Sequence, residues 1–387
     1  MQEVLHSSNI VRAPLVTLSL GQGILSSDGP YWRGQRRLIQ PEFHQNCLLG
    51  FGPLMVLCIE AMFERWAVAP GQTRRLDMTR EMQVLTPDVV GRALFGADLV
   101  ARADAICAAI GVLIEDLGAI SWTVLNTPYN LSPTRNATFA AALSTVDEAV
   151  YALIAERRAQ PDAWPRDLLS SLLRARGEDG AALSDVQLRD EIVTMLIAGH
   201  ETTGVSLAWA LHLLAQNPGA MAQLQSEADA LGLGERMPTV ADLPALAWCE
   251  MVFEETLRIY PPVWFMLRRA VEAESIAGVS LAAGASVLVS AYTTHRHPQF
   301  WPDPERFDPN RFASGTPKRP LYAHFPFAGG RHLCLGRGFA LIEAQLVLSA
   351  LAARFEWQTL PDPPVVALPV LTLRQKFGVP MQVRGRA

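Results

Sequence analysis

The sequence is short of the features that mark several function classes. Its 387 residues hold five cysteines: Cys47, Cys58, Cys107, Cys249 and Cys334. They are odd in number and no two lie closer than eleven residues. That excludes a CxxC metal knuckle and a disulfide framework, and predicts a reducing, cytoplasmic setting. Positive charge is not in excess either, since 33 basic against 38 acidic residues leave a formal charge of −5. No bulk attraction to nucleic acid or anionic lipid follows, and no nucleic-acid partner is expected. The longest apolar run near the N-terminus, Leu48 to Ile59, is twelve residues with two glycines and a proline. A spanning helix needs about 20, so no transmembrane segment is expected. Residues 1–9 carry neither a basic n-region nor an apolar h-region, so no signal peptide is expected. Glycine and proline, 27 of each, follow no short period, which excludes repeat architectures and low-complexity disorder.

Half of the residues are hydrophobic and 18% are charged, enough for a sizeable core. The clearest element starts at Ser184, which can cap a helix with Gln187 three residues later as in a capping box. Ile192, Val193, Leu196 and Ile197 follow helical spacing, and the pattern runs to Asn217-Pro218. Its second half, Val205 to Leu211, is apolar on nearly every face, which predicts a helix enclosed by protein. A second helix is expected from about Pro244 to Tyr260 and a third from Gly338 to Arg354. Ser286–Ser290 reads as a strand, Leu373 to Val383 as a hairpin, and Pro302 to Phe327 as long functional coil. The expected fold is mainly α with a small β portion, one domain over residues 1–387 built round a long central helix.

Two segments carry chemistry. In the middle of the enclosed helix sits Ala198-Gly199-His200-Glu201-Thr202-Thr203, and an acid beside hydroxyls in apolar surroundings needs a reason. Just before the last helix lies Phe327-Ala328-Gly329-Gly330-Arg331-His332-Leu333-Cys334-Leu335-Gly336. Glycines there let backbone approach a flat ligand, and free amides at the following helix start favour a thiolate. An isolated cysteine in a tight turn is more often plain core than a ligand, so the ordered set of motifs has to decide. A zinc protease is excluded, because HExxH needs a second histidine at position 204, which is Gly204. His295 and His297, followed by Pro298, read as structural.

Phe327, Gly330, His332, Cys334 and Gly336 match F-x-x-G-x-(R/H)-x-C-x-G, so this segment resembles the heme-binding signature of the cytochrome P-450 family. Other motifs resemble that family in its order: Trp32 to Arg36 its WxxxR, Ala198 to Thr203 its oxygen-binding segment, Glu255 to Arg258 its ExxR, and Phe307 to Phe312 its arginine motif. Together they cover residues 32 to 339. The resemblance implies heme b (iron protoporphyrin IX), with Cys334 as axial ligand and Phe327 and Gly336 shaping the cofactor loop. It implies that Trp32, Arg36, Arg268 and His332 hold the propionates, that Glu201 and Thr202 deliver protons, and that Glu255, Arg258 and Arg311 form a buried triad.

The activity so implied is monooxygenation of a hydrophobic substrate with O2. Electrons would come from NAD(P)H through a separate ferredoxin or flavoprotein donor, since no GxGxxG fingerprint is present. A non-oxygenating heme-binding protein, or a degenerate fragment, is the second reading. Val193, Ile197, Val263 to Leu267 and Leu368 to Leu371 are the expected substrate walls, and Arg33, Arg37, Arg331 and Arg337 the donor's docking face. A monomer is expected. Only 31 residues precede the WxxxR motif, so the first strands and helices of the family are expected to be missing.

Overall fold

A computed structural model describes residues 2–12, 20–96, 105–106, 108–116, 133–177 and 180–386. The central helix runs from Asp185 to Gln216, 32 residues without a break. Its start is set by the expected capping box: the Ser184 amide donates to Gln187 Oε1 at 2.9 Å and the Gln187 amide to Ser184 Oγ at 3.3 Å. Asn217-Pro218 ends it, and Pro218–Ala230 begins a new helix. The central helix is enclosed by the helices Met78–Phe95, Ala247–Ile259 and Arg337–Arg354, which share one continuous apolar core with it.

Close approach of Met78–Phe95 to the central helix depends on two glycines. A Cβ at Gly199 would lie 2.7 Å from Val90 Cγ2, and one at Gly204 would lie 3.1 Å from Thr86 Oγ1. Gly199 therefore serves helix packing, and the helix runs on past it. The Thr86 hydroxyl seals the crossing by donating to the His200 carbonyl at 2.8 Å.

Among the described residues, ten short strands carry the β portion: β1 Ile10–Arg12, β2 Thr73–Asp77, β3 Phe265–Ala270, β4 Glu274–Ile276, β5 Val279–Leu281, β6 Ser286–Ser290, β7 Phe355–Thr359, β8 Ala367–Pro369, β9 Leu373–Gln375 and β10 Pro380–Gly385. They form two three-stranded sheets, β1-β3-β6 and β2-β10-β7, and the two pairs β4-β5 and β8-β9. The expected hairpin over Leu373 to Val383 is not formed. β9 pairs back with β8, while β10 inserts between β2 and β7. Met381 and Val383 alternate inward with Phe355 and Trp357, so burial of that apolar face decides the pairing.

The second expected helix begins later than Pro244, which sits in a single 3-10 turn, and its α portion is Ala247–Ile259. Pro302 to Phe327 is irregular apart from one such turn, Pro309–Phe312. Two helical stretches, Gln45–Trp66 and Ala137–Ala159, are long and apolar enough to cross a membrane by length and composition, beyond what the twelve-residue run suggests. The first turns Met55, Ile59, Met62 and Trp66 into the core.

Candidate active site

The Cys334 loop is built by backbone. The Cys334 amide donates to the Phe327 carbonyl at 3.0 Å, closing the turn. Gly330 has φ +63°, and a Cβ there would run into the Leu5 carbonyl of the N-terminal helix Gln2–His6. Tyr322 Oη accepts from the Gly330 amide at 3.2 Å and lies 2.7 Å from His6 Nε2. Gly336 then caps the helix Arg337–Arg354. Cys334 keeps accessible surface although many protein atoms surround its thiol. Burial pushes the thiol up, and the amides of Gly336 and Arg337 together with the Arg36 guanidinium pull it back down. A bound cation would tip that balance to thiolate.

Trp32 lies on the helix Gly29–Ile39 and meets His332 edge to face, ring centroids 4.4 Å apart. The Trp32 indole nitrogen and both His332 ring nitrogens are buried without a hydrogen-bond partner among the described residues. His332 Nε2 sits 3.4 Å from Asp28 Oδ1, close to the carboxylate but without a well-aligned hydrogen bond. Burial pushes His332 down, so its imidazole is neutral near neutral pH.

Around this pair the cations gather. Arg36 Nη1 donates to the Leu333 carbonyl at 2.8 Å. Arg12 is pushed down to about 10, first by burial and then by Arg268, with Arg36 and Arg331 adding to the effect and Asp28 opposing it. Arg268 is likewise pushed down by burial and by Arg331. Burial acts to raise Asp28, but His332 and the amides of Gly29 and Arg12 hold its carboxyl well below the usual range. Half-buried guanidiniums in excess over carboxylate, beside unpartnered N–H donors, fit an anionic group such as the propionates of heme.

Arg12 and Asp28 were not singled out by sequence. Asp28 carried one readable signal, as the N-cap ahead of Gly29-Pro30. Of the four arginines expected on the docking face, Arg33, Arg37 and Arg337 are exposed. Arg331 instead turns inward and donates to the Ser7 carbonyl at 3.0 Å, because the Gly330 turn presses the loop against the N-terminal helix.

On the central helix, Glu201 and Thr202 have different partners. The Thr202 hydroxyl donates to the Ala198 carbonyl at 2.7 Å, one turn back. Glu201 is buried and its Oε1 accepts from Thr372 Oγ1 at 2.9 Å, in the turn between β8 and β9. Burial pushes the Glu201 carboxyl up, while Thr372, Arg374 and Gln83 pull it down. The same turn is tied to the segment after Ala247–Ile259: Trp264 Nε1 donates to the Val370 carbonyl at 2.9 Å and the Leu373 amide to the Pro262 carbonyl at 2.9 Å.

Behind the cysteine loop, Glu255 and Arg258 are joined by two bonds and Arg311 Nε lies 3.4 Å from Glu255 Oε1. The Asp308 amide adds a third bond to the carboxylate at 2.9 Å.

The family model described as Cytochrome P450 matches residues 2–379. The chain belongs to the cytochrome P450 family. Among its relatives, Cyclooctatin synthase of Streptomyces melanosporofaciens is 35% identical over 359 residues, 92% of this chain and 77% of the relative. Cyclooctat-9-en-7-ol 5-monooxygenase of the same organism is 34% identical, over 89% of this chain and 74% of its own. The solved heme domain of cytochrome P450DA superposes with a TM-score of 0.89 at 27% identity, covering all of this chain and 86% of that one. The cytochrome P450 fold, mostly helical with a small sheet portion, is thus that of this chain, with heme its cofactor and monooxygenation its class of reaction.

Proposed function

We propose that this cytochrome P450 inserts one oxygen atom of O2 into an apolar organic substrate and releases the other as water. One NAD(P)H and one proton are consumed, with the electrons carried by a separate ferredoxin or flavoprotein. The observation that carries the reading is the meeting of three features at one place: the Cys334 thiol faced by the Gly336 and Arg337 amides, the unpartnered donors of Trp32 and His332, and the cluster of Arg12, Arg36 and Arg268. Cys334 would hold the heme iron, and Trp32, Arg36, Arg268, His332 and Arg12 would hold the propionates. Heme bound through a thiolate supplies oxygen activation, because the sulfur's electron density favours O–O cleavage.

The chain's own residues orient and protonate. The Phe327 carbonyl and the cap at Gly336 hold Cys334 in place. The Glu201 carboxyl and Thr202 hydroxyl supply the protons that O2 reduction consumes, and a buried acid pushed up by its surroundings suits that task. Val193 and Ile197, the segment Val263 to Leu267 and the turn Leu368 to Leu371 wall the substrate space. The bonds from Trp264 to Val370 and from Leu373 to Pro262 support a common space between the last two. These walls are nearly all apolar, and the relative named for cyclooctat-9-en-7-ol points the same way. Exposed Arg33, Arg37 and Arg337 dock the electron donor.

The decisive measurement is the reduced carbon monoxide difference spectrum. Wild type should give the band of thiolate-ligated heme and Cys334→Ser should lose it, whereas a mutant that keeps the band would overturn the assignment. Difference spectra against a panel of apolar ligands would then define the substrate class.

A further inference from the structure

A cavity of about 550 Å³ lies where the helices Gln45–Gly50 and Gly52–Trp66 meet the C-terminal end of Met78–Phe95 and the segment leading into the helix Leu168–Arg174. None of its lining residues belongs to the cysteine loop, the cation cluster or the expected substrate walls. Its volume falls within the range of about 300–1,000 Å³ that small-molecule sites occupy. Phe51, Leu54, Ala93 and Pro165 give it an apolar wall.

Four charged side chains also line it, and they are not equally engaged. Asp167 takes Arg157 on both oxygens, at 2.8 and 2.7 Å, and accepts from the Ser170 amide at 2.8 Å as the cap of its helix. Arg92 is held by Asp88, Nε to Oδ1 at 2.9 Å. The protein itself therefore neutralises these two. Glu42 and Arg166 are left without an opposite charge among the described residues. Glu42 Oε1 accepts only from the Ser171 hydroxyl at 2.7 Å, and Arg166 Nη2 reaches only the Cys47 sulfur at 3.9 Å. The cavity thus keeps one carboxylate and one guanidinium, unpaired with each other, beside an apolar wall.

We propose that this cavity is a second binding site, separate from the heme site, for a short zwitterionic peptide or amino acid with an apolar side chain. The ligand's ammonium pairs with Glu42, its carboxylate takes the Arg166 guanidinium, and its side chain covers Phe51, Leu54 and Pro165. A simple carboxylate would meet repulsion from Glu42 and a simple amine from Arg166. A wholly apolar ligand would shut both charges away from water unpaired, so this lining selects for a ligand with both signs.

The test uses heme-loaded protein with its heme site filled by 4-phenylimidazole, so that binding elsewhere is read. Calorimetric titration with leucyl-phenylalanine should show one saturable site. The N-acetylated dipeptide and the dipeptide amide should each bind about tenfold more weakly, or worse. Arg166→Gln should weaken the dipeptide to a similar degree but leave the amide unaffected, since the amide has no carboxylate to lose. Glu42→Gln should act in the same way on the dipeptide and spare the N-acetylated form. Heme absorbance per chain checks both variants, and exposed Arg166 carries the test if Glu42→Gln loses heme. Alkylation of Cys47, which lines the same cavity, should slow severalfold when the dipeptide is bound. Absence of saturable binding, an unchanged dipeptide affinity in Arg166→Gln, or alkylation of Cys47 at its unliganded rate would each overturn the site.

Discussion

The Arg258 guanidinium holds the Glu255 carboxylate by two parallel bonds, Nε to Oε2 at 2.6 Å and Nη2 to Oε1 at 2.8 Å, with both side chains fully withdrawn from water. The remaining Arg258 hydrogens go to the carbonyls of His295, Pro304 and Arg306, so this one side chain ties the helix Ala247–Ile259 to the long coil that leads to the cysteine loop. Arg258→Ala would strand a buried carboxylate and three carbonyls, at a cost of about 3–5 kcal/mol. The expected outcome is insoluble or heme-free protein, checked by heme absorbance per mole of purified chain. Well-folded holoprotein from Arg258→Ala would contradict this account.

Glu191 gives a pH dependence of stability. It is buried on the central helix, and its Oε2 accepts from the Ile24 amide at 3.0 Å, while Oε1 has no partner among the described residues. Burial pushes its carboxyl up from 4.5 to about 8, opposed by the Ile24 bond. A carboxyl raised in the folded state stays protonated while its unfolded counterpart ionises. The fold therefore loses stability progressively as pH rises from about 4.5 to about 8, by an amount on the order of several kcal/mol in full. Glu191→Gln keeps the acceptor and removes the ionisation, so its unfolding midpoint should exceed that of wild type increasingly across this window. Parallel curves of midpoint against pH would exclude Glu191 as the cause.

Packing at Gly199 is open to a double-mutant cycle. Gly199→Ala gains about 1 kcal/mol of helix propensity but drives a methyl to 2.7 Å from Val90 Cγ2, and overpacking of that kind costs about 1–3 kcal/mol. Net destabilisation is expected. Val90→Ala makes room, so the double mutant should cost less than the sum of the two single ones in denaturant titrations. Strict additivity would show that the two positions do not press on one another.

Thr202→Ala removes the hydroxyl that bonds the Ala198 carbonyl. Heme content, the reduced carbon monoxide spectrum and ligand binding should survive. Product formed per NAD(P)H consumed should fall severalfold, with peroxide or water rising in its place. Unchanged coupling would take the proton role away from this residue.

The central helix could be read almost to the residue, because its signals are local: a capping box at Ser184 and Gln187, helical apolar spacing, and a proline two residues past the end. The cysteine loop was legible for the same reason, its matching positions falling within ten consecutive residues. The strand pairing after Leu373 was not. β10 is bounded by no turn that names its partner, and it pairs with β2, some three hundred residues away, because that buries Met381 and Val383.

Local order along the chain therefore determined which residues can carry the chemistry: Cys334, Glu201, Thr202, Trp32 and the ExxR pair all stand in short motifs whose spacing is set by one helix or one turn. Tertiary structure alone decided what surrounds them. Arg12 enters the cation cluster through the pairing of β1 with β3, Thr372 meets Glu201 across 171 residues, and Arg331 turns toward Ser7 rather than solvent. A hydrogen bond or charge contact depends on distance in space, and sequence spacing controls that distance only within a few helical turns.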